Sequence, residues 1–341
     1  MTPGAVRPTS AAQVAAFRSR SVPEPERVAD DLWSVALPMP SRRLGYTLGY
    51  VLSDAEGRLH VVDPGWDSEE CRELLDRLCS SIAGPDYAVD TVVVTHLHPD
   101  HLGSAAALRE RWGARLAMHA VEDDAMRAGS PDDSDAPERW GVPADRRAEL
   151  SGSDSRPLRL RSLEPEVRFV GAIDQWRPPG RSLEVVHTPG HTSGSISIRT
   201  GDGHVLTGDH VLPEINPGIG LGGATGTNPL RDYLASLERL AAVAGDDEVL
   251  PGHGYRFAGL GARCAELADH HAVRSARVAE VVAELGDPTV WQVAERIPWS
   301  AGWAAIRGIA LRFALAHTEI HLGYLATAAV SERPPARPRT T

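Results

Sequence analysis

His96, His98, Asp100 and His101 stand within six positions of one another in the stretch Thr91-Val-Val-Val-Thr-His-Leu-His-Pro-Asp-His-Leu-Gly103. Imidazole nitrogens and carboxylate oxygens crowded in this way are the donors that zinc and its neighbours take. The five residues at positions 91–95 are all β-branched, which predicts a short buried strand. Gly103, Ser104 and the run Ala105-Ala-Ala-Leu108 predict the opening turns of a helix. The cluster is therefore expected at the C-terminal end of a buried strand, just ahead of a helix, where α/β proteins place binding chemistry. One histidine is usually an ordinary core or surface residue. Three with an aspartate at one buried strand end are not, because buried polar groups need partners.

Three more polar landmarks follow predicted strands. His191 lies in Thr188-Pro-Gly-His-Thr-Ser-Gly194, Asp209 in Leu206-Thr-Gly-Asp-His210 and His253 in Leu250-Pro-Gly-His-Gly254. Each has a glycine beside it, which lets the chain turn tightly and approach a bound ion. Seven donors suit two ions that share a carboxylate and a water. His119 reads as a rim or structural residue, His187 as a strand-end residue and His210 as a substrate contact or a packing group. Trp66, after Asp63-Pro-Gly65, could line the cleft or simply pack.

The elements that must position these groups are legible as alternating patterns. Residues 32–37, 45–53 and 59–63 predict an antiparallel meander, and residues 68–79 a helix with Leu74, Leu75 and Leu78 on one face. A helix is expected over 105–112 and a short strand over 115–119. The polar stretch 122–156 reads as a lid or a mobile insertion. Strands are expected at 167–170, 183–186, 195–198, 204–207 and 248–250. A Gly- and Pro-rich loop at 213–229 precedes a helix over 230–244. The second half thus repeats the plan of the first. Helical segments near 262–285, 290–295 and 305–327 read as a separate small domain. The expected division is a loose arm at 1–27, a catalytic domain at 28–260, a helical domain at 261–332 and a disordered tail at 333–341.

Composition narrows the partners. The 341 residues are 42% hydrophobic and 24% charged, as in ordinary globular proteins. No apolar run reaches the ~20 residues that span a bilayer, and the first 20 residues hold no apolar signal core. Cys71, Cys79 and Cys264 lack metal-like spacing and read as small hydrophobes in a reducing compartment, which predicts the cytoplasm. The net charge is −11 and every basic residue is Arg. The densest Arg runs, at 156–161 and 333–339, do not alternate with aromatics, so nucleic acid is disfavoured.

The chain resembles the metallo-β-lactamase-fold hydrolases, whose His-x-His-x-Asp-His signature is met by His96, His98, Asp100 and His101. The downstream His, Asp and His of that superfamily are matched by His191, Asp209 and His253. The match covers about residues 32–255. The resemblance implies an α/β fold, a four-layer αββα sandwich made of two similar halves, with a small mainly helical C-terminal domain. It implies that His96, His98 and His191 hold one metal, that Asp100, His101 and His253 hold a second, and that Asp209 bridges them. Asp63 would orient a ligand histidine. Lactamases of this fold carry Cys or Ser where this chain has Asp209, which argues against antibiotic degradation. The diiron flavoprotein branch carries Glu where this chain has His98, and the nuclease branch has a large insertion that the interval between Asp209 and His253 is too short to hold.

Residues His270-His-Ala-Val-Arg274, Val290-Trp-Gln-Val-Ala-Glu-Arg296, Ala316-His317 and His321-Leu322 resemble the winged-helix-like domain of the branch typified by β-lactamase-like protein 2. Such a domain could cap the site or bind a partner. The cofactor expected is two Zn²⁺ ions per chain, with iron or manganese as substitutes, and no organic cofactor is implied. Two such ions lower the pKa of a bridging water from 15.7 towards ~7, and the hydroxide attacks an acyl carbon. Asp100 and Asp209 would accept the proton or hold the hydroxide. The expected reaction is hydrolysis of a thioester, ester or lactone of a small or medium organic acid. The alternative is a metal-dependent phosphodiesterase or ribonuclease, and a third reading is a metal-binding module without catalysis. The acidic balance favours the small acyl substrate.

Overall fold

The structure is a computed structural model that describes residues 6–41, 44–129, 133–150, 163–222 and 226–331. The chain begins with β1 (Arg7–Pro8) and α1 (Ala11–Ser19), followed by a meander of β2 (Glu26–Ala29), β3 (Leu32–Pro38), β4 (Tyr46–Ser53) and β5 (Leu59–Val62). The first half continues through α2 (Glu69–Ala83), β6 (Val89–Val93), α3 (Pro99–Leu102), α4 (Ala105–Trp112) and β7 (Arg115–His119). It closes with α5 (Ala120–Ala128), α6 (Ala136–Arg139), α7 (Ala144–Leu150) and β8 (Val167–Phe169). The second half holds β9 (Ile173–Trp176), β10 (Leu183–His187), β11 (Ile196–Thr200), β12 (His204–Gly208), α8 (Pro229–Val243), β13 (Glu248–Pro251) and β14 (Phe257–Ala258). Helices α9 (Leu260–Leu285), α10 (Val290–Arg296) and α11 (Gly308–Ser331) follow.

Two seven-stranded sheets result, one ordered β2-β3-β4-β5-β6-β7-β8 and the other β1-β14-β13-β12-β11-β10-β9. Their central strands are buried on both faces, and the period of two sorts the side chains. In β6, Val92 faces the core under α2 and α4, together with Leu75 and Leu108. Its neighbour Val93 faces the other sheet, with Leu48, Val185, Ile198 and Leu250. On the far side, β12 and β13 send Val205 and Val249 against Leu230, Tyr233 and Leu237 of α8 and Leu267 of α9. The order of layers is helix, sheet, sheet, helix. Strands β5, β6 and β7 run parallel, as do β12 and β13; six of the seven candidate residues lie just beyond the ends of such strands, and His191 follows β10, which is antiparallel to both its neighbours.

Several expectations change in the structure. The N-terminal segment, expected to be loose over 1–27, is built into the fold from Val6 onwards. β1 pairs with β14, and Ser10 caps α1. The buried amide of Gln13 donates to Ser34 Oγ at 3.0 Å and accepts from the Arg256 backbone N–H at 3.0 Å. A glutamine that serves both sheets is invisible to an apolar pattern. The stretch 122–156, expected as a lid, forms α5, α6 and α7 over its described residues. Trp140, Val142 and Leu150 are buried there against Trp291, Leu311 and Leu315. Strands β2 and β9 were not foreseen, because their burial alternates weakly at sheet edges. Among the described residues no strand follows Ala258, so the C-terminal part is helical without a β wing. The tail at 333–341 and the Arg cluster at 156–161 lie outside the described residues. No helix among the described residues is long and apolar enough to cross a membrane. Cys71, Cys79 and Cys264 are buried free thiols.

Candidate metal centre

Asp63 is the first support. It ends β5 with φ +53, a backbone state that side chains with a Cβ rarely adopt. In that state its carboxylate accepts the Thr95 backbone N–H at 2.8 Å, the Thr95 hydroxyl at 2.7 Å and His101 Nδ1–H at 2.8 Å. The strand end and the loop that carries the motif are thus hung from one side chain.

Each of the five histidines has its outer ring nitrogen engaged. The Thr95 hydroxyl donates to Asp63, so it accepts from His96 Nδ1–H at 3.0 Å. His98 Nε2–H faces the Leu221 carbonyl at 3.2 Å, and His191 Nδ1–H donates to the Gly218 carbonyl at 2.6 Å. His253 Nδ1–H donates to the Tyr46 carbonyl at 3.0 Å. Outer partners of this kind set which nitrogen of a ligand imidazole is left with a lone pair. The inner nitrogens then converge. His98 Nδ1 lies 3.0 Å from His96 Nε2 and 3.0 Å from His191 Nε2. Around a tetrahedral zinc with bonds of about 2.0–2.1 Å, donor atoms stand roughly 3.3–3.4 Å apart.

The remaining groups gather beside these three. His253 Nε2 is 3.1 Å from Asp100 Oδ2 and 3.4 Å from Asp209 Oδ2. His101 Nε2 is 3.4 Å from Asp209 Oδ1, and His191 Nε2 is 3.8 Å from Asp209 Oδ2. Asp209 therefore stands between the two sets of donors, one holding His96, His98, His191 and Asp209 itself, the other Asp100, His101 and His253. His101 Nε2 and Asp209 Oδ1 are buried without a hydrogen-bond partner. Gly252 leaves the room this needs. A Cβ there would stand 2.4 Å from Asp209 Oδ1 and 2.6 Å from His101 Cε1.

The electrostatics of the two sets differ. Burial and the neighbouring imidazoles hold His96 well below its ordinary pKa, and burial with His191 pushes His98 down to about 4. Burial lowers His191 as well. Burial would lower His253 too, but the carboxylates of Asp209 and Asp100 push it up to about 10. Burial is likewise overcome at His101 by Asp209, Asp63 and Asp100, which hold it well above the usual range. Burial would raise Asp100 and Asp209, but His101 and His253 keep both below the usual carboxylate range. The three imidazoles of the first set are neutral and ready to donate lone pairs. The other set is a carboxylate-rich niche that favours positive charge. Orphaned inner atoms, N and O donors without thiolate, and this field fit first-row divalent ions such as zinc.

Sequence reading missed one residue that binds the loops together. Glu122 of α5 is buried, and its Oε1 accepts the Leu97 backbone N–H at 2.7 Å and the Thr192 hydroxyl at 2.6 Å. Its Oε2 accepts the Gly194 backbone N–H at 2.6 Å. One carboxylate so ties the loop of His96 and His98 to the loop of His191. Burial pushes it up to about 7, while the three donors pull the other way. Its signal was present as an acidic residue in the first turn of a helix that starts at a strand end. His119 does not stand at a rim. It is buried and stacked on His187, with ring centroids 4.0 Å apart. His210 packs against Tyr233 with both ring nitrogens buried and unpartnered, which is the packing alternative of the two. Trp66 packs against the outer core of the first half.

Comparison with known proteins matches this architecture. The family model described as the metallo-beta-lactamase superfamily matches residues 42–253. A beta-lactamase-like protein 2 homolog of Drosophila melanogaster is 26% identical over 206 residues, which are 60% of this chain and 57% of that protein. A hydroxyacylglutathione hydrolase of Aeromonas hydrophila is 28% identical over 219 residues, 64% of this chain and 66% of that protein. The chain spans about three fifths of the length of these curated relatives. The crystal structure of a beta-lactamase domain protein from Burkholderia ambifaria superposes with a TM-score of 0.72 at 27% identity, covering 95% of this chain and 93% of that one. With the family model matching more than half of its length, over an αββα sandwich that carries the signature residues at its strand ends, the chain belongs to the metallo-β-lactamase superfamily.

Proposed function

We propose that this chain is a dinuclear zinc hydrolase that cleaves a thioester, ester or lactone of a small or medium organic acid. The observation that carries the reading is the convergence of the inner nitrogens of His96, His98 and His191 at 3.0 Å steps, with Asp209 between them and the set of Asp100, His101 and His253. His96, His98 and His191 would hold one ion, Asp100, His101 and His253 the other, and Asp209 both. When bound, two zinc ions supply Lewis acidity that polarises an acyl carbonyl and makes water a competent nucleophile near neutral pH.

The chain's own residues do the rest. Asp209 fixes the separation of the two donor sets. Asp100, with Thr47 Oγ1 at 3.4 Å from its Oδ2, faces the same space and would take the proton released when water attacks. Asp63 holds His101 in the tautomer that keeps Nε2 free. On the far side, Arg263 of α9 donates to the Leu212 carbonyl at 2.7 Å and the Ile215 carbonyl at 2.9 Å, which fastens the loop after Asp209. Asn228 donates to the Ile320 carbonyl of α11 at 2.9 Å, beside the Gly-rich loop. In this reading residues 28–260 carry the chemistry and the helices at 261–331 wall the site rather than bind nucleic acid, as a net charge of −11 favours. A relative named for hydrolysis of hydroxyacylglutathione, itself a thioester, supports the acyl class.

The test is turnover against acyl thioesters, lactones and single-stranded RNA at matched concentration, with metal counted on the same sample. Thioesters or lactones should be cleaved at least about tenfold faster than RNA, with about two ions per chain at this centre. RNA cleavage should be weak and suppressed by salt. Rapid, salt-tolerant RNA cleavage with no acyl turnover would replace this reading by the phosphodiesterase one, and a folded, unchelated sample with one ion or none would remove the dinuclear model.

A further inference from the structure

A second gathering of histidines lies among the C-terminal helices. His271 is on α9, and His317 and His321 are four residues apart on α11, so they share one face of that helix. His271 is 1% exposed and His321 0%. His317 is partly buried. One nitrogen from each of the three lies within 4.8 Å of the others. The ring centroids stand 4.8 Å apart for His317 and His321, 5.7 Å for His271 and His321, and 5.9 Å for His271 and His317. The trio of His96, His98 and His191 spans 4.7–4.9 Å on the same measure. The helical trio is more open, with His271 standing about an ångström farther from its two partners and its ring at 28° to that of His321, a difference that side-chain rotation can close.

The nitrogens make the stronger argument. Both ring nitrogens of His271 and Nε2 of His321 are buried with no hydrogen-bond partner. A buried polar group left unpaired costs about 1–3 kcal/mol, so natural folds seldom leave several together. Ser275 Oγ lies 2.8 Å from His321 Nδ1, and the tautomer in which the hydroxyl accepts the Nδ1 proton leaves Nε2 with a lone pair for an ion. Burial also keeps the rings neutral, pushing His271 down to about 4 and His321 to about 3, and Arg274 nearby acts in the same direction. Neutral imidazole is the form that binds metal.

We propose that His271, His317 and His321 form a separate binding site for a divalent transition-metal ion, zinc first among them. An all-imidazole set with no carboxylate selects zinc, copper or nickel over magnesium or calcium. Three protein donors leave a fourth position for water or a small anion. Such an ion would clip α9 to α11. It would also brace the catalytic face, because Tyr233 packs on His271 with centroids 5.3 Å apart and donates its hydroxyl to the carbonyl of His210, the residue after Asp209, at 2.9 Å.

The experiment removes the main donors first. In a variant carrying His96→Ala, His98→Ala, His101→Ala, His191→Ala and His253→Ala, no imidazole remains at the main centre, so any strongly held ion belongs to the helical trio, and failure of the catalytic reading cannot be mistaken for failure of this one. After dialysis against buffered zinc, that variant should retain about one ion per chain, and its melting temperature should rise by several degrees on addition of zinc. Adding His317→Ala, a change at a partly buried position, should remove the ion and the shift while the far-UV circular dichroism stays the same. Cobalt added to the unaltered chain gives a second readout that needs no substitution in the helices. The absorption bands of a nitrogen-rich tetrahedral ion should lose one component in the single variant His317→Ala. Less than about 0.2 ion per chain in the five-alanine variant, with a melting temperature indifferent to zinc, would overturn the proposal. So would a cobalt spectrum unchanged by His317→Ala.

Discussion

The two halves of the molecule deliver the same kind of group in different ways. The first half supplies His96, His98, Asp100 and His101 from one turn after one strand. The second half supplies His191, Asp209 and His253 from three separate strand ends. The dense loop is supported from within its own half, because Asp63 accepts from Thr95 and His101. The dispersed loops are supported from across the sandwich. Tyr46 of β4 donates its hydroxyl to the Gly254 carbonyl at 2.8 Å, and Tyr50 donates to the Pro251 carbonyl at 2.7 Å. The Leu48 N–H donates to the Gly252 carbonyl at 2.7 Å. Packed strands can thus place a scattered set of donors as closely as one loop does, provided that the opposite sheet completes their hydrogen bonds.

The sharpest way to break that picture is at Asp209, where the two deliveries meet. Under the proposed assignment, His96, His98 and His191 of Asp209→Ala should still hold one ion, while Asp100, His101 and His253 lose the carboxylate they would share with it. The expected variant folds, loses most of its second ion and keeps under about 1% of its acyl hydrolysis, roughly 3 kcal/mol or more of transition-state stabilisation. Asp209→Asn should be equally slow but keep more metal, since its amide oxygen still coordinates weakly. Metal content and kcat on both variants are the measurements. Two ions still at the catalytic centre and near-normal turnover in Asp209→Ala would mean that nothing joins the two sets there.

Asp63→Asn comes next in size and tests the internal support of the dense loop. Asparagine tolerates the positive φ better than most residues, so the backbone should stay in place. What is lost is the charge and an acceptor for His101 Nδ1–H. A fall of about 10–100-fold in activity or metal affinity is expected, concentrated on the ion of His101 rather than that of His96. Stepwise chelation with zinc counted at each step reads this. Equal weakening of both ions would show that Asp63 supports the whole centre and not one loop.

What could be read from the chain follows the same division. The motif at 96–101 was plain because its donors are contiguous and follow a β-branched strand. The residues His191, Asp209 and His253 needed the resemblance as well as their glycines, since each is a lone polar residue at a strand end. The supports were hidden. Gln13 and Glu122 are polar residues in polar surroundings, and only burial shows them to be internal acceptors and donors. The 122–156 stretch looked like a lid because its acidic and Pro-containing segments mask Trp140, Val142 and Leu150, whose partners lie more than a hundred residues away on α10 and α11. Long-range pairing of this kind leaves no local period to detect. His317 and His321 do carry one, a four-residue spacing on a helix, but the third member of their cluster comes from another helix.

Glu122→Gln tests the brace between the two deliveries. The carboxylate accepts three donors, and an amide offers one acceptor oxygen and turns its NH₂ towards a backbone N–H. A loss of about 2–3 kcal/mol in stability is expected, on the scale of one or two buried donors left unmet. Activity should fall less than in Asp63→Asn, because no proposed ligand loses its own partner. Urea unfolding and steady-state kinetics on one preparation separate the effects. Unchanged stability would show that the Leu97 and Gly194 amides are satisfied without Glu122.

The smallest effect is expected at the stacked pair His119 and His187, one from the end of β7 and one from the end of β10. Burial pushes His119 down to about 4 and lowers His187 as well, while the second imidazole disfavours a proton on the first. A histidine whose folded pKa lies below its unfolded value stabilises the fold at pH above about 6.5, because the unfolded chain then gains no proton that the folded chain refuses. As pH falls from about 6.5 towards 4, the unfolded chain binds protons that the folded one does not, and that stability drains away. His187 stays partly exposed, so a change on the order of 1–2 kcal/mol across the window is a fair expectation. His119→Gln keeps a polar group at the site but cannot titrate. Its melting temperature should lie below that of the unaltered chain near pH 7.5, and the difference should narrow steadily down to pH 4.5. Parallel curves across that range would show that the pair holds the two halves together by stacking alone, with no acid-sensitive contact between them.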